Sequence, residues 1–188
     1  MIKFYSNKEL SSIFSINLAK WKRWSREFLP PDPLGGLQSG YARQYNLDEA
    51  FTVFLGGHLV GDLKFTIPES KQILDDLHQW LVDHDFYFDF SGSAHHGNPS
   101  VHPVQFYQIA LIRTNIADAN DSGLRYRVKA TITTDTIELN GVKMHREHFI
   151  ESSIGAQGNE PELLNAKSYR VLNISALRHI FFDYFPKS

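Results

Sequence analysis

The chain has 188 residues, 42% hydrophobic and 13% aromatic, which supplies cores for one domain or two small ones and excludes a disordered chain. It has no cysteine, so disulfides, thiolate metal sites and thiol redox chemistry are excluded. The formal charge of −2 excludes a uniformly basic protein, yet seven basic residues against three acidic ones leave +4 in residues 1–45, and two against seven leave −5 in residues 46–83.

The opening "MIKFYSNKEL" has no long apolar stretch before its first charges. No apolar run approaches the roughly 20 residues of a membrane helix. A soluble, cytoplasmic protein with no membrane partner is the expectation.

Ser6 and Glu9 have capping-box spacing and start a helix over about 7–14, with Leu10, Ile13 and Phe14 at helical intervals. Ser15-Ile16-Asn17 reads as a tight turn, and Asn17 caps a second helix to about Phe28, stopped by Pro30-Pro31. On that helix Leu18, Trp21 and Phe28 share one side, and Lys20, Arg23 and Glu27 another. Two short helices joined by about three residues are a helix-turn-helix. "PPDPLGGLQSG" is turn chemistry and "YARQY" alternates as a strand, which together predict a β-hairpin wing. Asn46 and Glu49 open a third helix through about Val60. Thr66-Ile67-Pro68-Glu69 opens a fourth, with an apolar stripe of Ile73, Leu74, Leu77, Trp80 and Leu81.

Near residue 84 the character changes. "QFYQIALIRT" reads as a buried strand. "LRYRVKATITTD" alternates, with Leu124, Tyr126, Val128, Ala130 and Ile132 on one face and Arg125, Arg127, Lys129 and Thr131 on the other. "TIELNGVKMH" carries Asn-Gly between extended runs, a hairpin signal. "SYRVLNI" is a further strand, and Ser175 caps a last helix whose Leu177, Ile180, Phe181 and Tyr184 share a face. The fold class is therefore α+β: a helical domain over 1–83 and an antiparallel sheet with a terminal helix over 84–188.

In its order of elements, the 1–83 segment resembles the DNA-binding domain of the MerR family, named for a mercury-resistance regulator. "YSNKEL" matches the first helix, "INLAKWKRWSRE" the recognition helix, and "LKFTIPESKQIL" the fourth helix. "FLPP" and the wing "GYARQYNLDEA" lie between them. Arg23-Trp24-Ser25-Arg26 is similar to the Arg-Trp-x-Arg run of the related excisionase-like winged helices. The resemblance implies a winged helix-turn-helix of four helices and a β-hairpin wing. It implies Asn17, Lys20 and Lys22 at or beside the major groove, and Arg23 and Trp24 where the family braces against the DNA backbone. Arg26 completes the basic set of this helix, and Arg43 in the wing would contact phosphate with support from Tyr41 and Tyr45. The chain departs from the family where "FYFDFSG" ends the fourth helix instead of continuing it into a coiled coil, and where Phe28 replaces the usual Gly before the wing.

Other motifs carry less chemistry. His95, His96 and His102 sit in a Gly/Ser/Pro-rich loop. His145 and His148 fall on a predicted strand, where an odd offset turns them to opposite faces. No metal site, cofactor or nucleophile–base pair is expected, and "FLGGHLVG" lies inside a helix without phosphate-loop spacing. The expected function is a sequence-specific DNA-binding protein, a bacterial transcriptional regulator acting on double-stranded DNA as a homodimer, and not an enzyme. The second domain would dimerise, sense a small-molecule effector or contact a partner. The alternatives are an excisionase-like architectural DNA-binding protein, or a protein-interaction module whose winged helix no longer binds DNA.

Overall fold

Polar caps begin each helix. In α1 (Asn7–Ile13) the Ser6 side chain accepts from the Glu9 N–H, and Glu9 reaches back to the Ser6 N–H at 2.7 Å. The same box starts α3 (Leu47–Gly61) with Asn46 and Glu49, and α4 (Ile67–Asp83) with Thr66 and Glu69. Asn17 caps α2 (Leu18–Phe28) through Oδ1, which accepts from Ala19 N at 2.9 Å and Lys20 N at 3.3 Å. Each such cap contributes about 1 kcal/mol. The computed structural model describes residues 4–32, 42–87, 106–113, 123–155 and 168–185, and it is a mixed α+β protein.

The chain forms two compact units, Met1–His95 with Arg178–Ser188, and His96–Leu177. In the first, residues 14–17 turn the chain from α1 into α2, with Ser15 in the left-handed region at φ 53°. β1 (Tyr5–Ser6) pairs antiparallel with β2 (Gln44–Tyr45). β2 is the described part of the segment expected as a wing. Of the turn expected over residues 30–40, positions 33–40 lie outside the described residues, as does Tyr41 of the expected strand.

α2 buries Trp21, Trp24, Ser25 and Phe28, while Leu18, expected on that side, is exposed. A helix core stripe needs spacings of three and four, and 21, 24, 25 and 28 supply them. The partner surface is the Gly56-Gly57 pair of α3. A Cβ at Gly56 would lie 2.4 Å from Phe28 Cδ2, and one at Gly57 would lie 2.3 Å from Trp24 Cζ3. No real side chain fits those gaps, so the two helices pack in this way because α3 is bare there.

Phe14 centres an aromatic cluster, 5.4 Å from Trp21, 5.1 Å from Phe54 and 5.5 Å from Phe181 between ring centroids. Phe181 belongs to α5 (Ile174–Asp183), whose last part is in the first unit although sequence reading assigns it to a second domain. The phenol of Tyr45 ties three elements together. It donates to Asn7 Oδ1 at 2.7 Å, so its contact of 2.6 Å with Ser25 Oγ is one in which the serine donates. Burial pushes the Tyr45 phenol above its ordinary pKa, against the Ser25 hydrogen bond and the nearby Arg43 charge.

In the second unit β3 (Phe106–Arg113), β4 (Leu124–Leu139), β5 (Val142–Ile154) and β6 (Tyr169–Leu172) form one antiparallel sheet in the order β5-β4-β3-β6. Asn140 and Gly141 take φ of 53° and 78°, the two left-handed residues that a two-residue hairpin turn needs. Leu124, Tyr126 and Val128 are buried as the alternation predicts, but the next buried residue is Thr131, not Ala130. Thr131 is still in register with Phe106 and Phe149, so it is buried on the opposite face of the strand from Val128, and the bulge that takes in the extra residue Ile132 comes after it, between Thr131 and Thr133. The cap of α5 is Asn173, whose Oδ1 accepts from Ala176 N at 3.0 Å. Ser175 instead accepts from the Tyr107 N–H at 2.8 Å.

Gly57→Ala is expected to lower stability by about 1–3 kcal/mol in urea unfolding, through overpacking against Trp24. Gly61→Ala, with nothing within 4 Å of the added Cβ, is expected to raise it by a few tenths to about 1 kcal/mol. Because the folded Tyr45 pKa is raised, its contribution to stability is fully present below the unfolded value near ~10 and is lost as pH rises through the folded one. Tyr45→Phe should lower stability at neutral pH, where Asn7 and Ser25 lose their partner, and flatten the alkaline limb of a melting-temperature against pH curve. Tyr87 and Tyr107, also raised by burial, retain the rest of that limb.

Candidate nucleic-acid interface

With Trp21, Trp24 and Phe28 committed inward, 3.6-residue periodicity carries Lys20, Lys22, Arg23 and Arg26 to the opposite side of α2. All four are exposed, as is Glu27. None of the four cations takes part in an ion pair among the described residues. Their positions therefore leave strongly hydrated charges displayed on one helix face, three in excess over the single acid.

Lys20 lies with its ammonium 4.6 Å from the centroid of the Trp24 ring. This cation–π contact orients the lysine and is worth roughly 0.5–1 kcal/mol at an exposed site. Trp24 itself is 6% exposed. It sits against Gly57 and its part in any interface is to support Lys20. Asn17 is engaged as the helix cap through Oδ1, leaving its Nδ2 as the donor available to a ligand.

Beside this face lies a cleft of about 460 Å³. Lys22 and Arg26, one helical turn apart, stand on its α2 side. Ser25, Tyr45 and Asn7 line it with their hydrogen-bonded network, and Leu29, Pro30, Pro31 and Asp32 complete it. Arg43 also reaches the cleft, but its guanidinium is held. Nη2 donates to Glu49 Oε1 at 2.6 Å, Nη1 donates to the Pro30 carbonyl at 2.7 Å, and the group lies 5.5 Å from the Tyr45 ring centroid. The Arg43 side chain is only 14% exposed.

The residues singled out in the sequence thus divide. Lys20, Lys22, Arg23 and Arg26 form one outward basic face. Trp24, Arg43 and Tyr45 belong to the packing behind it, and Tyr41 lies outside the described residues. Sequence reading missed Glu49 as the partner of Arg43, and Asn7 and Ser25 as partners of Tyr45. The Arg43–Glu49 pair spans β2 and the first turn of α3. The Tyr45 contacts span 38 and 20 residues, and no local pattern announces them.

Three cations of the sheet behave differently. Arg127 lies 3.6 Å from Glu151, Lys129 pairs with Glu147, and Arg146 pairs with Asp135 at 3.0 Å. His145 and His148 lie on β5, both exposed and on opposite faces. No group of three or more His, Asp or Glu side chains able to hold a metal occurs among the described residues. His95, His96 and His102 lie outside them. No described helix is long and apolar enough to cross a membrane.

No protein-family model matches the chain, and neither the curated proteins nor the solved structures include one that matches it.

Proposed function

We propose that the first unit binds double-stranded DNA through the outward face of α2, and that the protein is a sequence-specific DNA-binding regulator whose α1–α2 pair acts as a MerR-like helix-turn-helix. The observation that supports this is the set of four exposed cations, without ion-pair partners among the described residues, on a helix whose other side packs its tryptophans and Phe28 inward, Trp24 and Phe28 against the glycines of α3. A rigid basic helix face suits phosphate contacts and entry into a major groove. Lys22 and Arg26, beside the cleft, are the phosphate ligands. Lys20, steadied on Trp24, and Arg23 are the side chains directed at base edges.

A protein-interaction module is the second reading. It is favoured by Arg43 and Tyr45, which are engaged inside the unit and so offer no free cation from the described part of the expected wing. An architectural, excisionase-like role differs from regulation only in what is done to the bound DNA.

Purified full-length protein should bind duplex DNA with an affinity that falls steeply with salt. Lys22→Ala and Arg26→Ala should each reduce the slope of log K against log salt by about one unit, with little change in melting temperature because both side chains are exposed. Arg43→Ala should do the reverse, lowering stability with the slope nearly unchanged. A flat salt dependence for the unmodified chain would sink the DNA reading in favour of the protein-interaction one. Selection of bound genomic fragments then reads specificity through Lys20→Ala, and gel mobility on circularly permuted sites reads bending.

A further inference from the structure

β5 forms one side of the four-stranded sheet, and its outer edge has no strand partner among the described residues. It runs for 13 residues, more than twice the usual strand length of about five or six. Around it the hairpin exposes Leu139, Val142, Met144, Phe149 and Ile150, each between 44% and 60% accessible. A long, free, partly apolar edge is a template for another strand, and contiguous exposed apolar side chains mark an interaction surface.

The strand's pattern says which strand fits. Val142, Met144, Arg146, His148 and Ile150 lie on one face, and Lys143, His145, Glu147, Phe149 and Glu151 on the other. The two-residue turn makes Leu139 and Val142 a hydrogen-bonded pair. The backbone groups of Val142, Met144 and Arg146 therefore point to β4, and those of Lys143, His145 and Glu147 point to the free edge.

We propose that β5 pairs antiparallel with β5 of a second copy of this chain, about a twofold axis through Glu147, joining two four-stranded sheets into one of eight. A twofold perpendicular to the sheet keeps each face continuous, and it makes the contact isologous. In this register Lys143 lies opposite Glu151 twice, and Met144 lies opposite Ile150 twice. Lys143 has no ion-pair partner among the described residues, and Glu151 has only Arg127 at 3.6 Å. Like charges directly opposite are unfavourable, but each Glu147 on the axis already carries the Lys129 ammonium. Moving the axis to Phe149 sets Glu147 against Glu151 twice. Moving it to His145 leaves Phe149 and Ile150 beyond the paired region. This contact is independent of whether α2 binds DNA.

The cysteine-free chain allows a direct test. Glu147→Cys places one thiol at the axis, about 5.5 Å Cα to Cα from its mate, inside the disulfide range of about 4.4–6.8 Å. Mild oxidation of the full-length variant should give a covalent dimer well before the exposed Ser12→Cys control does. By sedimentation over a concentration series, the unmodified chain should be a dimer. Lys143→Glu should shift it toward monomer, and adding Glu151→Lys should restore the dimer. His145→Pro removes only an outward N–H and should also give monomer. A monomeric unmodified chain, a dimer indifferent to Lys143→Glu and His145→Pro, or equal crosslinking of the two cysteine variants would each overturn the proposal.

Discussion

The close approach of α2 to α3 at Gly56 and Gly57 decides how the first unit presents itself. Phe28 and Trp24 occupy the space where side chains on α3 would otherwise stand. Two large aromatics are buried there with no gap, and the rotation of α2 about its own axis is set. Once that rotation is set, the positions 20, 22, 23 and 26 have nowhere to go but outward. The basic face is thus a consequence of packing as much as of composition, and glycines some thirty residues away in the chain govern it.

A second constraint acts at the edge of that face. The Tyr45 phenol, Ser25 and Asn7 form a hydrogen-bonded chain across β2, α2 and α1, and Arg43 joins Glu49 to the Pro30 carbonyl. Glu49 serves twice, as the N3 member of the α3 capping box and as the partner of Arg43. A buried phenol with both its hydrogen-bonding directions used is stable where a lone one would cost about 1–3 kcal/mol. These contacts hold the segment on both sides of the cleft and leave Lys22 and Arg26 as its displayed cations, with Asp32 also on its lining. The sheet differs: Arg127, Lys129 and Arg146 of β4 and β5 pair with acids across the ladder, whereas the four cations of α2 have no ion-pair partner among the described residues.

The end of the chain completes the first unit's aromatic cluster. Phe181 lies 5.2 Å from Phe51, 5.6 Å from Phe54 and 5.0 Å from Phe185, ring to ring, and is fully buried. α5 therefore contributes Leu177 to one unit's core and Phe181 to the other's. Stability of the helical unit is not a property of residues 1–95 alone, because removing the last residues would open a cavity around Phe14.

The sequence by itself determined the local structure. Ser6–Glu9, Asn46–Glu49 and Thr66–Glu69 announced three helix starts, Asn17 a fourth, and Asn140-Gly141 the long hairpin, because each signal is a contact between residues two to four apart. It also determined that α2 would be basic, and the resemblance to a MerR-like domain was carried by those same local features. Only the tertiary structure decided that Trp24 and Tyr45 are packing residues, that Arg43 is held by Glu49, that Ile132 is bulged, and that the last helix ends in the first unit. Apart from the Arg43–Glu49 pair, whose members are six residues apart, those outcomes depend on which surfaces meet across tens of residues. Burial and pairing free energies are gained only when distant side chains come into contact, so no spacing within one segment encodes them.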